Sequence, residues 1–254
     1  MATWIAHLRL AENLLEKIEG LDAACFAVGS IAPDSGIPDE NWENFTPPPE
    51  VSHFAAAPDD AGWMQLADLE FYRRYLALNR PDDNQGRFSF LLGYFFHLVT
   101  DNLWNNQINR PTKAQFAAQF EADPKFVWEV KGDWYGLDHI YVRDRPESLF
   151  WRVFLGCEYT DEYLDFMPAE AVQQRIDYIK TKYQRRDEKV QALYERPYIY
   201  LSQAEMDRFV EETTQQLYRI YQLLWEEGVD TSDFSSALEL LSDMKVEHQR
   251  KLKL

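Results

Sequence analysis

The stretch from Phe88 to Trp104, F-S-F-L-L-G-Y-F-F-H-L-V-T-D-N-L-W, is apolar on every side and yet carries a histidine and an aspartate four residues apart. A helix that is hydrophobic all round has to lie inside a protein, so the remaining chain must supply a shell around it. At 3.6 residues per turn this spacing puts His97 and Asp101 on one face, one above the other, with imidazole and carboxylate pointing at a single spot. A carboxylate alone in apolar surroundings is expensive to ionise and takes up a proton instead. A divalent cation or a donating histidine at that spot keeps Asp101 charged.

The rest of the chain reads as such a shell. Only ten of 254 residues are glycine and β-branched runs are scarce, which favours helices over a sandwich or barrel. The expected fold is all-α, a multi-helix bundle around the aromatic helix at residues 85–106. Eight tryptophans supply ample core. The length suits a single helical domain. In it residues 1–165 hold the polar constellation, and 166–254 add C-terminal helices, either packed on it or forming an appendage.

Thr3 can cap a first helix running to Gly20, with Trp4, Ala11, Leu14, Leu15 and Ile18 on the buried stripe and His7 among them. A lone histidine on an apolar face is more often a satisfied core residue than a ligand. From Phe26 to Phe54 the chain carries five of its twelve prolines and is expected to be a loop. Asp34 and His53 lie in it. Asp34, before Ser35-Gly36, has a simple explanation as a turn former, but semi-rigid loops over a helical scaffold also commonly carry ligands.

Asp59 or Asp60 is expected to start a helix through Leu76, ending near Asn79-Arg80-Pro81, with a loop to Gly86. A shorter helix is expected over 113–121. The segment D-W-Y-G-L-D-H-I-Y-V-R-D, with His139 between Asp138 and Asp144, reads either as a short helix or as an extended turn. Pro146 is expected to open a helix through Tyr163, and Pro168 another with the stripe Val172, Ile176, Ile179, Tyr183. Ser202 and Glu205 form a capping box for a helix ending at Gly228. A last helix follows Ser232 through Met244 and ends on Lys245, Arg250, Lys251 and Lys253, with His248 solvated among them.

The net charge of −17 weighs against sequence-independent binding of nucleic acid or of an anionic membrane, both of which need clustered Lys and Arg. Cys25 and Cys157 form no C-x-x-C pattern and no disulfide framework. The N-terminus lacks the basic and apolar regions of a signal peptide. No apolar run approaches the roughly 18 residues of a spanning helix. The expectation is a soluble, cytoplasmic protein.

His7, His53 and His97 together with Asp34 and Asp101 make three imidazoles and two carboxylates, which are zinc ligand types that bind at roughly 2.0 to 2.2 Å. Softer copper and harder calcium fit this set less well. The order of these residues is W-I-A-H, then a G-x-x-x-P-D turn from Gly29 to Asp34, then S-H-F, then H-x-x-x-D in a buried aromatic helix. It resembles the bacterial zinc-dependent phospholipase C family, which is related in fold to the fungal zinc nucleases of single strands. The resemblance covers residues 1–106. It implies an all-helical fold with a cleft for up to three zinc ions and hydrolysis of a phosphate ester by a zinc-activated water. The ligands it implies are His7, Asp34, His53, His97 and Asp101, with Asp34 also orienting or deprotonating the water.

The chain departs from the family pattern at three places. Trp4 follows Met-Ala-Thr, whereas secreted relatives begin with a tryptophan. Gln107 stands where a histidine is expected after H-x-x-x-D. His139 is followed at the fourth position by Arg143, not Glu, which leaves Asp138, Asp144 or Glu158 to partner His139 as a substitute ligand. The reduced set implies one zinc, with a second as an open alternative, acting on a small phosphate ester. The competing reading is a non-catalytic helical protein that binds a protein partner through its C-terminal helices. In it the His/Asp cluster is a structural metal site or a buried hydrogen-bonded pair.

Overall fold

The computed structural model describes residues 1–41, 43–59, 62–79 and 84–242. The apolar stretch forms one helix, Gln85–Trp104, whose Asn84 cap accepts from the Arg87 N–H, and every residue from Phe88 to Trp104 is buried. Around it the chain is all-α, with twelve α-helices and a single two-stranded ribbon among the described residues. One continuous cluster of buried hydrophobic residues runs from Ala2 to Leu240.

In chain order the helices are α1 Trp4–Leu15, α2 Ala23–Gly29, α3 Pro49–Ser52, α4 Asp68–Phe71, α5 Gln85–Trp104, α6 Arg110–Gln115, α7 Ala117–Ala122, α8 Phe126–Asp144, α9 Leu149–Arg152, α10 Ala169–Gln184, α11 Glu188–Glu195 and α12 Gln203–Tyr221. The strands Ile37–Pro38 (β1) and Phe45–Thr46 (β2) pair antiparallel. No helix of the described residues is long and apolar enough to cross a membrane.

Several elements follow their sequence signals. Thr3 caps α1 by accepting from the Ala6 N–H, all four expected stripe residues of α10 are buried, and the Ser202–Glu205 capping box is complete. Others depart for identifiable reasons. The first helix stops at Leu15, five residues before Gly20, which takes a left-handed φ of 77°. The loop expected from Phe26 begins later, because Asp22 caps α2 and Phe26, Ala27 and Val28 are buried. Asp59 starts no helix, since its carboxylate closes a turn by accepting from the Trp63 N–H and also accepts from Arg110. Asp60, Arg80 and Pro81 lie outside the described residues.

The ambiguous stretch around His139 is the second half of the 19-residue helix α8. The helix expected from Pro146 to Tyr163 is only α9, followed by a 3-10 turn at Phe154–Gly156. Side chains of α10 occupy the next backbone groups: Gln173 accepts from the Tyr159 N–H and Lys180 donates to the Cys157 carbonyl. Residues 237–242 are helical. The rest of the expected last helix, including Met244, His248 and the terminal basic residues, lies outside the described residues. Asp68 at the start of α4 holds the 237–242 turn by accepting from Ala237 N–H and Ser236 Oγ–H, and also accepts from Asn102 on α5.

The site depends on the crossing of α2 over α5. A Cβ added at Gly29 would stand 2.0 Å from the Phe90 carbonyl oxygen, and one at Gly93 would stand 2.4 Å from the Phe26 carbonyl oxygen. Both clashes are with backbone, so no rotamer relieves them and the helices would have to separate. Gly93→Ala is therefore expected to lower the unfolding free energy by about 3 kcal/mol or more. Gly156→Ala meets nothing within 4 Å and should change it by less than about 1 kcal/mol. Urea unfolding of the two variants checks this, and equal stabilities would contradict the close crossing.

Candidate metal centre

Four elements bring the five predicted ligands to one place. α1 carries His7 and α5 carries His97 and Asp101. A 3-10 turn at Ala32–Asp34 ends on Asp34, and His53 caps the end of α3. His7, His97 and Asp101 form one group whose ligand atoms all lie within 4.8 Å of one another, and Asp34, His53 and His97 form a second. The rings of His7 and His97 stack 3.8 Å apart at 8°.

Distances separate hydrogen bonding from shared coordination. His97 Nε2 lies 3.4 Å from Asp101 Oδ2, His7 Nε2 3.5 Å from Asp101 Oδ1, His53 Nε2 3.8 Å from Asp101 Oδ2 and 3.3 Å from Asp34 Oδ1. Charge-assisted N–H to O bonds close to about 2.7–2.9 Å, so these atoms are too far apart for one. Ligands at about 2.0–2.2 Å from a tetrahedral zinc stand about 3.3–3.6 Å from each other. His7 Nε2, His53 Nε2, His97 Nε2 and Asp101 Oδ2 are all buried without a hydrogen-bond partner. Buried polar atoms without partners are costly, and each of the two groups, which share His97, fits a divalent cation of zinc type.

The surroundings aim these atoms. His97 Nδ1 lies 2.9 Å from the Ser30 carbonyl oxygen and His53 Nδ1 lies 3.1 Å from that of Pro49. A carbonyl only accepts, so His97 Nδ1 carries the proton and its Nε2 is left to take a proton or a metal, while His53 Nδ1 also lies 3.0 Å from the Ser52 hydroxyl. Ser30 caps the end of α2, and the glycine crossing brings its carbonyl within reach of His97. The Ala2 N–H donates to Asp101 Oδ1 at 2.7 Å.

The charges point the same way. Burial and the neighbouring His97 push His7 down to about 4. Burial would lower His97 as well, but the Asp101 carboxylate raises it. Burial would raise Asp101, yet His97, the N-terminal ammonium and His7 hold it well below the usual carboxylate range. Asp34 is likewise held low against its burial by His53 and His97. The pocket demands positive charge.

His139 belongs to neither group. It faces α10, with its ring 4.9 Å from Tyr183, and burial together with Lys182, Arg185 and Arg186 pushes it down to about 4. That cationic neighbourhood repels a metal ion. None of its proposed partners stands with it as a ligand: Asp144 is paired to Arg143, Glu158 is exposed, and Asp138 accepts from Thr3 Oγ at 2.6 Å and from Tyr183 Oη at 2.5 Å. Asp138 instead ties the capping residue of α1 to α8 and α10, and so fixes the helix that carries His7.

One side of the cluster is open. Asp34 and His53 line a cavity of about 240 Å3. The Asp34 side chain is 11% exposed, whereas those of His7, His53, His97 and Asp101 are at most 4% exposed. Ala2 and the carbonyls of Ser30 and Pro49 are parts of the site that sequence reasoning missed, because a backbone group bears no signature of its partner.

Comparison with family models, with curated proteins and with solved structures finds no match.

Two measurements test this site. With zinc at a hundredfold excess over its dissociation constant the unfolding free energy should rise by about 2.7 kcal/mol, and His97→Ala should abolish both that rise and the calorimetric heat of zinc binding. A wild-type protein that shows neither signal rules out the cation.

The second test concerns Asp138, which burial raises from 3.8 to about 6. Below the unfolded value both states are protonated and nothing is lost. As pH rises through the window from 3.8 to about 6 the unfolded chain ionises first, so stability falls by about 3 kcal/mol at 1.36 kcal/mol per unit. In Asp138→Asn the amide oxygen still accepts from Thr3 and the NH2 donates to the Tyr183 oxygen, so this loss disappears. The wild type should therefore lose on the order of 2–3 kcal/mol relative to Asp138→Asn between about pH 4 and pH 8. Parallel pH dependences in urea unfolding would refute the buried charge.

Proposed function

We propose that the chain is a metal-dependent hydrolase of small phosphate esters. His7, His97 and Asp101 hold the cation, and Asp34, with His53 beside it, orients or deprotonates the attacking water. The observation that carries this reading is the buried, unpartnered Nε2 atoms of His7, His53 and His97 and Oδ2 of Asp101, gathered in two overlapping groups beside a cavity walled by Asp34 and His53. The order of motifs over residues 1–106, which resembles the zinc-dependent phospholipase C family, adds the reaction type.

The ligand set favours one zinc. His97 Nε2 has a single lone pair, and both candidate groups need it, so they cannot be complete at the same time. A bound zinc supplies Lewis-acid polarisation of a phosphoryl oxygen and a nucleophilic water at neutral pH. The protein's own contribution is to fix the imidazoles through Ser30 and Pro49, to keep Asp101 ionised, and to present a carboxylate on the open side. Held low by His53 and His97, Asp34 is ionised at neutral pH and available to accept a hydrogen bond from water.

A structural zinc is the competing reading. A structural site closes with four protein ligands, whereas either group of three here leaves a position open, as catalytic sites do. Asp34 on the cavity wall favours the open site, since a closed pin needs no further carboxylate at its solvent side.

Zinc-loaded protein is expected to hydrolyse members of a panel of phosphomonoesters and phosphodiesters. Asp34→Asn should lower kcat by about 10²–10⁴ while retaining zinc. Wild-type protein that holds one zinc and turns over no ester in the panel would establish the structural reading instead.

A further inference from the structure

The cavity beside the cluster differs in charge from the rest of the molecule. The chain has 43 acidic and 26 basic residues, and many of its surface arginines are paired with carboxylates, as Arg9 is with Asp207, Arg74 with Asp165 and Arg143 with Asp144. Lys131 from α8 and Arg175 from α10 line the cavity, and neither has an ion-pair partner within 4.0 Å among the described residues. Both are half-buried and lean on aromatic faces, Arg175 5.3 Å from the Trp4 ring centre and Lys131 5.2 Å from that of Trp128. The carboxylate acting on Lys131 is Asp34, which the cation site claims.

Ser35 Oγ, Trp134 Nε1 and Arg175 Nε are buried without a hydrogen-bond partner, and all three residues line the cavity. Trp134 Nε1 and Arg175 Nε are donors, and Ser35 Oγ both donates and accepts. Two cations without a carboxylate partner on one wall match an anion, and they disfavour a quaternary ammonium or another cationic head group. The volume of about 240 Å3 falls below the roughly 300–1,000 Å3 of sites for drug-sized ligands, so long acyl chains have no place in it.

We propose that this cavity is an anion subsite, and that the substrate is a small organic phosphate bearing a second anionic group, a carboxylate or another phosphate, received by Lys131 and Arg175. The assignment rests on the hydrolase reading in placing the ester phosphate at the cation cluster. Because the second charge is met inside a partly desolvated wall, it discriminates between ligands more strongly than an exposed pair would.

Isothermal calorimetry on zinc-loaded protein with propyl phosphate, carboxypropyl phosphate and propanediol bisphosphate tests this, with turnover of the same three compounds followed separately. The two doubly anionic probes are expected to bind at least about tenfold more tightly than propyl phosphate, and the stronger of the two identifies the second group. In Lys131→Met, which keeps the apolar stem, the three affinities should converge to within about twofold. Equal affinities in the wild type, no binding of any probe, or a preference that survives in both Lys131→Met and Arg175→Met overturns the subsite. If Lys131→Met fails to fold, the wild-type comparison still decides. Binding with the expected preference but no turnover leaves the subsite standing and removes the hydrolase reading. Turnover without preference does the reverse.

Discussion

A buried carboxylate, set in the last turn of an aromatic helix, is the constraint on which the rest of the structure depends. Asp101 can remain ionised there only if positive charge is kept within a few ångströms. The chain answers with three imidazoles from three different elements, and although burial would lower His97, the Asp101 carboxylate raises it. A permanent structural ion pair would have closed to hydrogen-bond length and satisfied its partners. Here Nε2 atoms and Oδ2 stand apart and unsatisfied, which is the geometry of groups arranged around something larger than a proton.

Holding those groups apart takes work by residues that never touch the cation. Gly29 and Gly93 let α2 approach α5 backbone to backbone, and this approach delivers the Ser30 carbonyl to His97. The proline-rich segment makes a short helix at Pro49, whose carbonyl reaches His53. Asp138 clamps the start of α1 against α8 and α10, which fixes the turn that carries His7. Each ligand therefore has its rotamer set by a neighbouring backbone or cap, so the site is preorganised by the fold.

Periodicity and capping made much of this legible in the sequence. The all-apolar run announced α5, and the i,i+4 placement of His97 and Asp101 on it identified two ligands that share a face. Thr3, Pro168 and the Ser202–Glu205 box located helix starts, because caps act through local bonds. Tertiary competition was not legible. Asp59 looked like a helix cap but closes a turn and binds Arg110. The residues after Cys157 looked helical but surrender their backbone groups to Gln173 and Lys180 of a later helix. His139 illustrates the same limit, since its distance from the cluster follows from α8 being one unbroken helix that turns this ring toward Lys182 and Tyr183.

The cavity adds what ligand spacing alone could not. A closed metal pin would have no use for unpaired cations and idle donors on an adjoining wall, because burying them without partners costs free energy. Their presence beside the one partly exposed ligand, Asp34, ties two separate features to a single need. On the proposed reading the cluster would receive one negative group and the wall another, with a small volume between them. Acidity over the remainder of the surface then works in the same direction. Long polyanions are repelled by the net charge, while a small, doubly charged molecule can reach a local positive field within a short distance of the opening.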